Sequence, residues 1–411
     1  MQEDVVKNLE EKIKLKDFKL HSLLEITKSI NTNQPINHLT KIFEFVLREQ
    51  LGLDKFILFS KEEDEWSIFL KIGIKGKIKD ISVEKDLLRF KDVTVIESSH
   101  KSSLNKFDVI VPVFHKSKPL AFLLIGGLLQ DREKMGGIIR NMSFIQTLTN
   151  IIIVAIENKR MANATIMQER LKKDLEVAVE LQKQLFPAQL PSNQKLDVSA
   201  KFLPRHEIGG DYYDFIQINE NEFMICIADV SGKGISAAML MANFQATIRT
   251  LFHYQNFDLE DLIKELNEKV IKASNGDKFI TFFIAKYNAK TRKLKYINAG
   301  HNYPLLVSGN KTRELAAGCP GLGMLDELPF LESEEIEIHP NTTIVLYTDG
   351  VVELENKEGI PFETENLLKI IKNFYPLKME DLNNILFSKL EEWKGKNDFI
   401  DDTAILTCRI F

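Results

Sequence analysis

The stretch "FFIAKYNAKTRKLKYINA", residues 282–299, decides how the C-terminal half of this 411-residue chain is built. It joins two runs of strand character, "FITFFIAKY" (279–287) and "KLKYINA" (293–299), through a loop far too short for a crossover helix. Parallel neighbours need a dozen or more connecting residues, so these two strands pair antiparallel. Outward from them, "LDVSAKFLP" (196–204), "EFMICIAD" (222–229), "PLLVS" (304–308), "EEIEIH" (334–339), "TIVLYTD" (343–349) and "TAILTCRI" (403–410) also read as strands. "FMICIA" and "IVLY" are apolar on both faces, which places them between layers. "ISAAMLMANFQATIRTLF" carries Ala237, Met241, Phe244, Ile248 and Leu251 on one helical face, and further helices fit 258–274, 364–373 and 379–394. The expected fold is α+β, a β-sandwich flanked by helices.

Size and composition bound the rest. The length suits two domains and a connector, and 44% hydrophobic with 27% charged residues is ordinary for a globular chain. A net charge of −5 gives no reason to expect nucleic acid or an anionic membrane as partner. Cys226, Cys319 and Cys408 are few and distant, which predicts reduced thiols. The N-terminus is charged throughout, and the apolar runs "LAFLLIGGLL" (120–129) and "IIIVAI" (151–156) are shorter than the roughly 20 residues of a bilayer span. A cytoplasmic protein without a membrane segment is expected.

The front begins with a charged helix, its apolar positions Leu9, Ile13, Leu20, Leu23, Leu24 and Ile30 on one side, followed by a helix in "INHLTKIFEFVLREQLG" (36–52). Five strands follow, in "DKFILFS", "EWSIFLKIG", "VTVIES", "DVIVPVF" and "LAFLLIGG", then a helix from about Arg132. Residues 144–185 read as one long helix. Leu171, Leu175, Ala178 and Leu185, with Gln182 between, predict a two-helix seam joining two copies of the chain, and "FPAQLP" (186–191) stops it. The expected parts are 1–157, a 158–190 helical linker, and 191–411.

Four aspartates stand where an apolar run meets a turn. Asp211 follows Gly209 and Gly210 in "HEIGGDYYDF", Asp229 and Asp349 end apolar strands, and Asp401 opens the last one. Each alone reads as a cap or turn residue. Together, at one edge of an antiparallel sandwich, they would repel one another unless cations lay between them. All-oxygen ligands favour Mg²⁺ or Mn²⁺ over zinc, and two such ions about 4 Å apart support in-line phosphoryl displacement.

The ordered set "EIGGDYYDF", "ADVSGKGISAAMLMA", "YINAGHNYPLL", "LYTDGVVE" and "DDTAIL" resembles the PPM (protein phosphatase 2C) superfamily in its SpoIIE/RsbU-like bacterial serine phosphatase branch. The resemblance covers about 190–411 and implies a PPM-type α-β-β-α sandwich with two divalent cations, Mn²⁺ or Mg²⁺. By position, Asp229 corresponds to the aspartate that bridges both metals and the Val230 carbonyl to a ligand. Asp349 and Asp401 correspond to further ligands, and Asp211 to the acid acting on the second metal directly or through water. Asp214, Gly210, Ser231, Gly232 and Asp402 are expected to support them. Ala404 departs from the pattern by replacing a threonine, and the histidine that follows the bridging aspartate in eukaryotic relatives is lacking, with Ser231 nearby instead. The loop "VSGKGIS" also reads as an anion cradle with Lys233, but it lacks the P-loop order. His301 reads as a loop-ordering residue rather than a ligand.

The front, from "LLEITKSINTNQPINHLTKIFEFVLREQLGLDKFILFS" to about residue 157, resembles a GAF domain, which implies a sensory role and a possible small ligand. The combined reading is a metal-dependent protein serine/threonine phosphatase. Its implied substrate is a phosphorylated anti-sigma-factor antagonist (STAS-like) protein in partner switching, and its linker helix implies a homodimer. The alternatives are a non-catalytic signalling scaffold and a hydrolase of small phosphate esters.

Overall fold

The structure is a computed structural model, and it describes all residues except 1, 63–64, 75–77, 79–80, 97–103, 116–117, 129–131 and 255–257. The chain divides into two compact units, Met1–Glu169 and Arg170–Phe411.

In the first unit, α1 (Gln2–Asn31) and α2 (Ile36–Phe45) precede β1 (Lys55–Glu62), β2 (Glu65–Ile72), β3 (Thr94–Val95), β4 (Val109–His115) and β5 (Lys118–Gly126), and α3 (Arg132–Lys183) follows, its last residues, from Arg170, belonging to the second unit. The strands form one antiparallel sheet in the order β2-β1-β5-β4-β3. The period-2 alternation of β1 sends Phe56 and Leu58 into the core under the helices and Ile57 and Phe59 into a second core on the other face. All five expected strands are present, although the end of "VTVIES" lies outside the described residues. The face of α1 differs from expectation. Ile26, with Phe18, Leu23 and Ile30, packs into the core, whereas Leu9, Ile13, Leu20 and Leu24 are exposed. Asp108 is buried and accepts from the Leu128 backbone N–H, a structural role.

Helix α3 is a single helix 52 residues long. Its continuous apolar runs are short, yet by length and composition it includes a window apolar enough to cross a bilayer. Ile145, Leu148, Ile152, Ile153 and Ile156 on that helix are buried in the core of the first unit. Further along, Leu171, Val177 and Leu181 are exposed, while Gln182, expected at a core position between two copies of the chain, is buried against Gly209 of its own unit.

The second unit continues with β6 (Leu196–Leu203), β7 (Tyr212–Asn219), β8 (Glu222–Val230), α4 (Ile235–Tyr254), α5 (Leu259–Ser274), β9 (Ile280–Asn288) and β10 (Lys293–Ala299). After these come β11 (Leu305–Ser308), β12 (Lys311–Glu314), β13 (Gly318–Cys319), β14 (Glu334–Glu337), β15 (Thr342–Tyr347), α6 (Asp349–Val352), α7 (Glu363–Asn373), α8 (Met379–Lys394) and β16 (Thr403–Ile410). One sheet runs β13-β10-β9-β8-β7 with β14 beside β10, and the other runs β12-β11-β15-β16-β6. Their facing sides share one core, α4 and α5 cover the first sheet, and α7 and α8 cover the second. This is the expected four-layer α-β-β-α arrangement.

The deciding hairpin pairs Phe282 with Ala299 and Asn288 with Lys293, antiparallel as read. Its turn is set by the Asn288 side chain, which accepts from the backbone N–H groups of Lys290 and Thr291, and by a positive φ at Arg292. Strand β7 has no counterpart among the expected strands. Its sequence, "YYDFIQIN", puts a charged residue on an inward-facing position, which breaks the apolar signal. The three cysteines are free and buried.

Candidate active site

Four lead-ins meet at one rim of the second unit. β8 delivers Asp229 and Val230, and the turn before β7 delivers Asp211. The start of α6 delivers Asp349, and the segment entering β16 delivers Asp401 and Asp402. Cross-contacts tie them together. Thr348 Oγ1 donates to Asp211 Oδ2 at 2.7 Å and accepts from the Ala404 backbone N–H at 2.9 Å. Asp402 Oδ2 accepts from Gly210 N at 2.6 Å, and its Oδ1 accepts from Arg205 N at 2.8 Å.

The two glycines before Asp211 answer to close approach. A Cβ on Gly209 would lie 2.5 Å from Asp402 Oδ2 and 2.8 Å from the Phe202 ring. One on Gly210 would lie 3.0 Å from the Val230 carbonyl oxygen. Side chains at these positions would push the Asp211 turn off the strand end that carries Asp229. From the other side, Gln182 clasps the same turn: its Nε2 donates to Gly209 O at 2.7 Å and its Oε1 accepts from Gly209 N at 3.2 Å.

Acidic charge is concentrated here. Asp211 is 1% exposed. Burial, then the neighbouring Asp229 and Asp402, hold its carboxyl well above the usual range, and only the Thr348 hydroxyl works against them appreciably. Asp229 is pushed up to about 7 by burial and by Asp349 and Asp401. Asp349 is pushed up to about 6, again by burial first and Asp401 second. Burial also raises Asp402, against the backbone donors that lower it. The donor set is carboxylate oxygen with one nearby backbone carbonyl, and its members repel one another, which fits a hard divalent cation in both chemistry and charge. Among the described residues no three of these side chains are already closed on one point as a cage. Asp401 is instead paired with Lys233, its Oδ2 2.7 Å from Nζ.

The structure thus gathers Asp211, Asp229, Val230, Asp349, Asp401, Asp402 and Gly210 at one rim, and it corrects one expectation. Asp214 does not join them. It lies fully buried under α4, bound to Arg249 Nε at 2.8 Å and Nη2 at 3.0 Å, and it also accepts from the Tyr212 hydroxyl. The Ser231 hydroxyl accepts from Phe279 N at 2.9 Å, closing the end of the β8–β9 pair. Ala404, which stands in place of the pattern's threonine, donates its backbone N–H to Thr348 Oγ1, whose hydroxyl reaches Asp211. Sequence reasoning passed over Thr348 and the true role of Gln182. For Thr348 the available signal is its place directly before Asp349.

His301 is buried, its Nδ1 2.8 Å from the hydroxyl of Thr281, which is the cross-strand partner of Asp229. Burial lowers its pKa to about 4, so the ring is neutral and orders the loop, as read from the sequence. A groove of about 640 Å³ runs along β7 beside Arg249 and Phe252, and none of the rim aspartates lines it.

Residues 219–411 match the family model described as Stage II sporulation protein E (SpoIIE). The phosphoserine phosphatase RsbU of Bacillus subtilis (strain 168) is 29% identical over 238 residues, covering 57% of this chain and 70% of that protein. The phosphoserine phosphatase RsbP of the same organism is 25% identical over 240 residues, covering 57% of each. Among solved structures, the SiaA-PP2C domain of Pseudomonas aeruginosa superposes with a TM-score of 0.53 at 19% identity, over 60% of this chain and 99% of that one, a likeness of fold.

Proposed function

We propose that this chain is a divalent-cation-dependent phosphoserine phosphatase acting on a regulatory protein in partner switching, a reading supported by the match of residues 219–411 to the SpoIIE family model and by the similarity to phosphoserine phosphatase RsbU. The observation that carries the reading is the convergence of Asp211, Asp229, Asp349, Asp401 and Asp402, from four separate stretches, on one rim where burial and neighbouring carboxylates raise the pKa of Asp211, Asp229, Asp349 and Asp402. Bound there, Mn²⁺ or Mg²⁺ would supply charge neutralisation for the phosphoryl group and activation of the attacking water.

The chain's own residues do the rest. Asp229, on a central strand, and Asp349, at a helix start, are carried on rigid elements and would hold the cations together with Asp401 and the Val230 carbonyl. Thr348 fixes which Asp211 oxygen faces the rim. Asp402 orients the Gly209–Gly210 turn through backbone N–H groups, so its part is positional.

The substrate class follows the relatives named phosphoserine phosphatase, and a phosphorylated anti-sigma-factor antagonist of STAS type is the proposed partner. Regulation is assigned to the N-terminal unit, proposed to be GAF-like and to bind a small ligand. Pairing of two copies along α3 is supported by the exposed Met161, Ile166, Met167, Leu171, Val177 and Leu181. A cytoplasmic location is proposed.

The test is phosphate release from a phosphorylated antagonist with Mn²⁺, Mg²⁺ or chelator. Release is expected only with a divalent cation, and Asp349→Ala should lower it at least about a thousandfold while the circular dichroism spectrum is retained. Full cation-dependent turnover by that variant would refute the assignment.

A further inference from the structure

The loop "VSGKG" leaves one charged group that the proposed mechanism does not use. Gly232 and Gly234 both have positive φ, +90° and +72°, so the chain turns sharply on either side of Lys233. The loop is pinned from behind, where Lys278 Nζ donates to Ser231 O at 2.9 Å and Phe279 pairs with Ser231 through its N–H and C=O. Lys233 therefore projects to the opposite wall. Its Nζ lies 2.7 Å from Asp401 Oδ2 and 3.2 Å from the Ile400 carbonyl oxygen. Asp401 Oδ1 accepts from the Asp402 backbone N–H at 2.9 Å. Both oxygens of this expected cation ligand are engaged, one by backbone and one by an ammonium.

We propose that Lys233 is a displaceable counter-ion: it holds Asp401 until a divalent cation claims that carboxylate, and then turns to the phosphate of the substrate. The inference rests on the phosphatase reading and adds a residue to it. The pair is open to water, Lys233 being 43% and Asp401 36% exposed, so the ion pair is weak and yields to a doubly charged competitor. The ammonium is a compact charge on a flexible stem, able to change partners without moving the backbone. The Ile400 carbonyl, neutral and also bound by the Arg205 guanidinium, keeps Lys233 at the mouth once Asp401 is taken. A phosphate dianion arriving at the rim is the strongest new acceptor within its reach.

Two readouts of opposite sign test this on the full chain. Removal of a competing cation should tighten Mn²⁺ binding, and removal of a phosphate contact should weaken substrate binding. In calorimetric titration, Lys233→Gln is expected to bind Mn²⁺ about threefold to fivefold more tightly than the wild type. In steady-state kinetics at saturating Mn²⁺, its KM for 4-nitrophenyl phosphate should rise roughly fivefold to tenfold, with kcat changed much less. Mn²⁺ affinity that is unchanged or lower in Lys233→Gln, while Asp229→Asn abolishes binding, overturns the counter-ion role and leaves the phosphatase reading standing. A wild-type chain that binds no Mn²⁺ and matches Asp229→Asn overturns both.

Discussion

Asp211 and Asp214 lie three residues apart, both almost completely buried, and have opposite fates. Asp214 faces α4 and has its countercharge inside the protein, the bidentate guanidinium of Arg249 with the Tyr212 hydroxyl beside it. Asp211 faces the rim, where its close charged neighbours Asp229, Asp402 and Asp349 are all acidic and a single hydroxyl answers it. Burial alone therefore does not mark a working carboxylate here. What distinguishes the rim is charge that the fold gathers and only partly neutralises, through Lys233 on Asp401, which a mobile cation can then complete.

Substitutions on the two sides should break the molecule in different ways. Arg249→Met strands a fully buried carboxylate and should destabilise folding by about 3–5 kcal/mol, read from chemical denaturation. Phosphate release per folded molecule should stay within a few fold. Asp211→Asn removes one repelling charge, so in chelator its melting temperature should equal or exceed that of the wild type, while cation-dependent turnover falls at least about a hundredfold. A melting temperature for Asp211→Asn as low as that of Arg249→Met would erase the distinction between the two sites.

The same contrast has a pH signature. Asp229 takes its proton near pH 7 in the fold against 3.8 for the unperturbed group, so folding favours the protonated form. Stability from this carboxyl is fully present below about pH 4 and is lost as pH rises through 7. Without divalent cation the loss should be on the order of 2 kcal/mol across that interval, allowing for water at the rim. Cation and proton compete for the same oxygens, so Mn²⁺ affinity should increase with pH up to about 7. Melting curves at pH 4.5 to 7.5, with chelator and with Mn²⁺, check both signs. A chelated protein whose stability rises over this range would contradict the assigned crowding.

The legible features in the sequence were those carried by local pattern. The 282–299 hairpin follows from alternation and loop length, and α4 from its five-residue apolar face. The aspartates at strand ends follow from the same rule that marks turns. Partner identity was not legible. "GGDYYD" presents Asp211 and Asp214 alike, and only the pleat of β7, with Arg249 placed 35 residues later on α4, sends one to an ion pair and the other to the rim. Thr348 was hidden for the same reason, because its hydroxyl works across to a turn 137 residues away. Gln182 fitted a helical seam by spacing, and its packing against Gly209 is a tertiary fact that no periodicity encodes.

Gln182 also gives the finest test of how the rim is positioned. Its amide satisfies both backbone groups of Gly209, two residues before Asp211. Gln182→Ala leaves a buried N–H and C=O without their partner, which costs about 1–3 kcal/mol in that turn. Most of this falls on the local placement of Asp211 rather than on the sandwich core, so global unfolding should shift little. The expected result is a threefold to tenfold weaker Mn²⁺ affinity at roughly unchanged KM for 4-nitrophenyl phosphate, since 1 kcal/mol is about a fivefold change in an equilibrium. Gln182→Glu keeps the acceptor for Gly209 N and loses the donor to Gly209 O, while its added negative charge attracts the cation, so its Mn²⁺ affinity should lie between those of Gln182→Ala and the wild type. Equal Mn²⁺ affinity in all three proteins would show that the Asp211 turn holds its place without the helix.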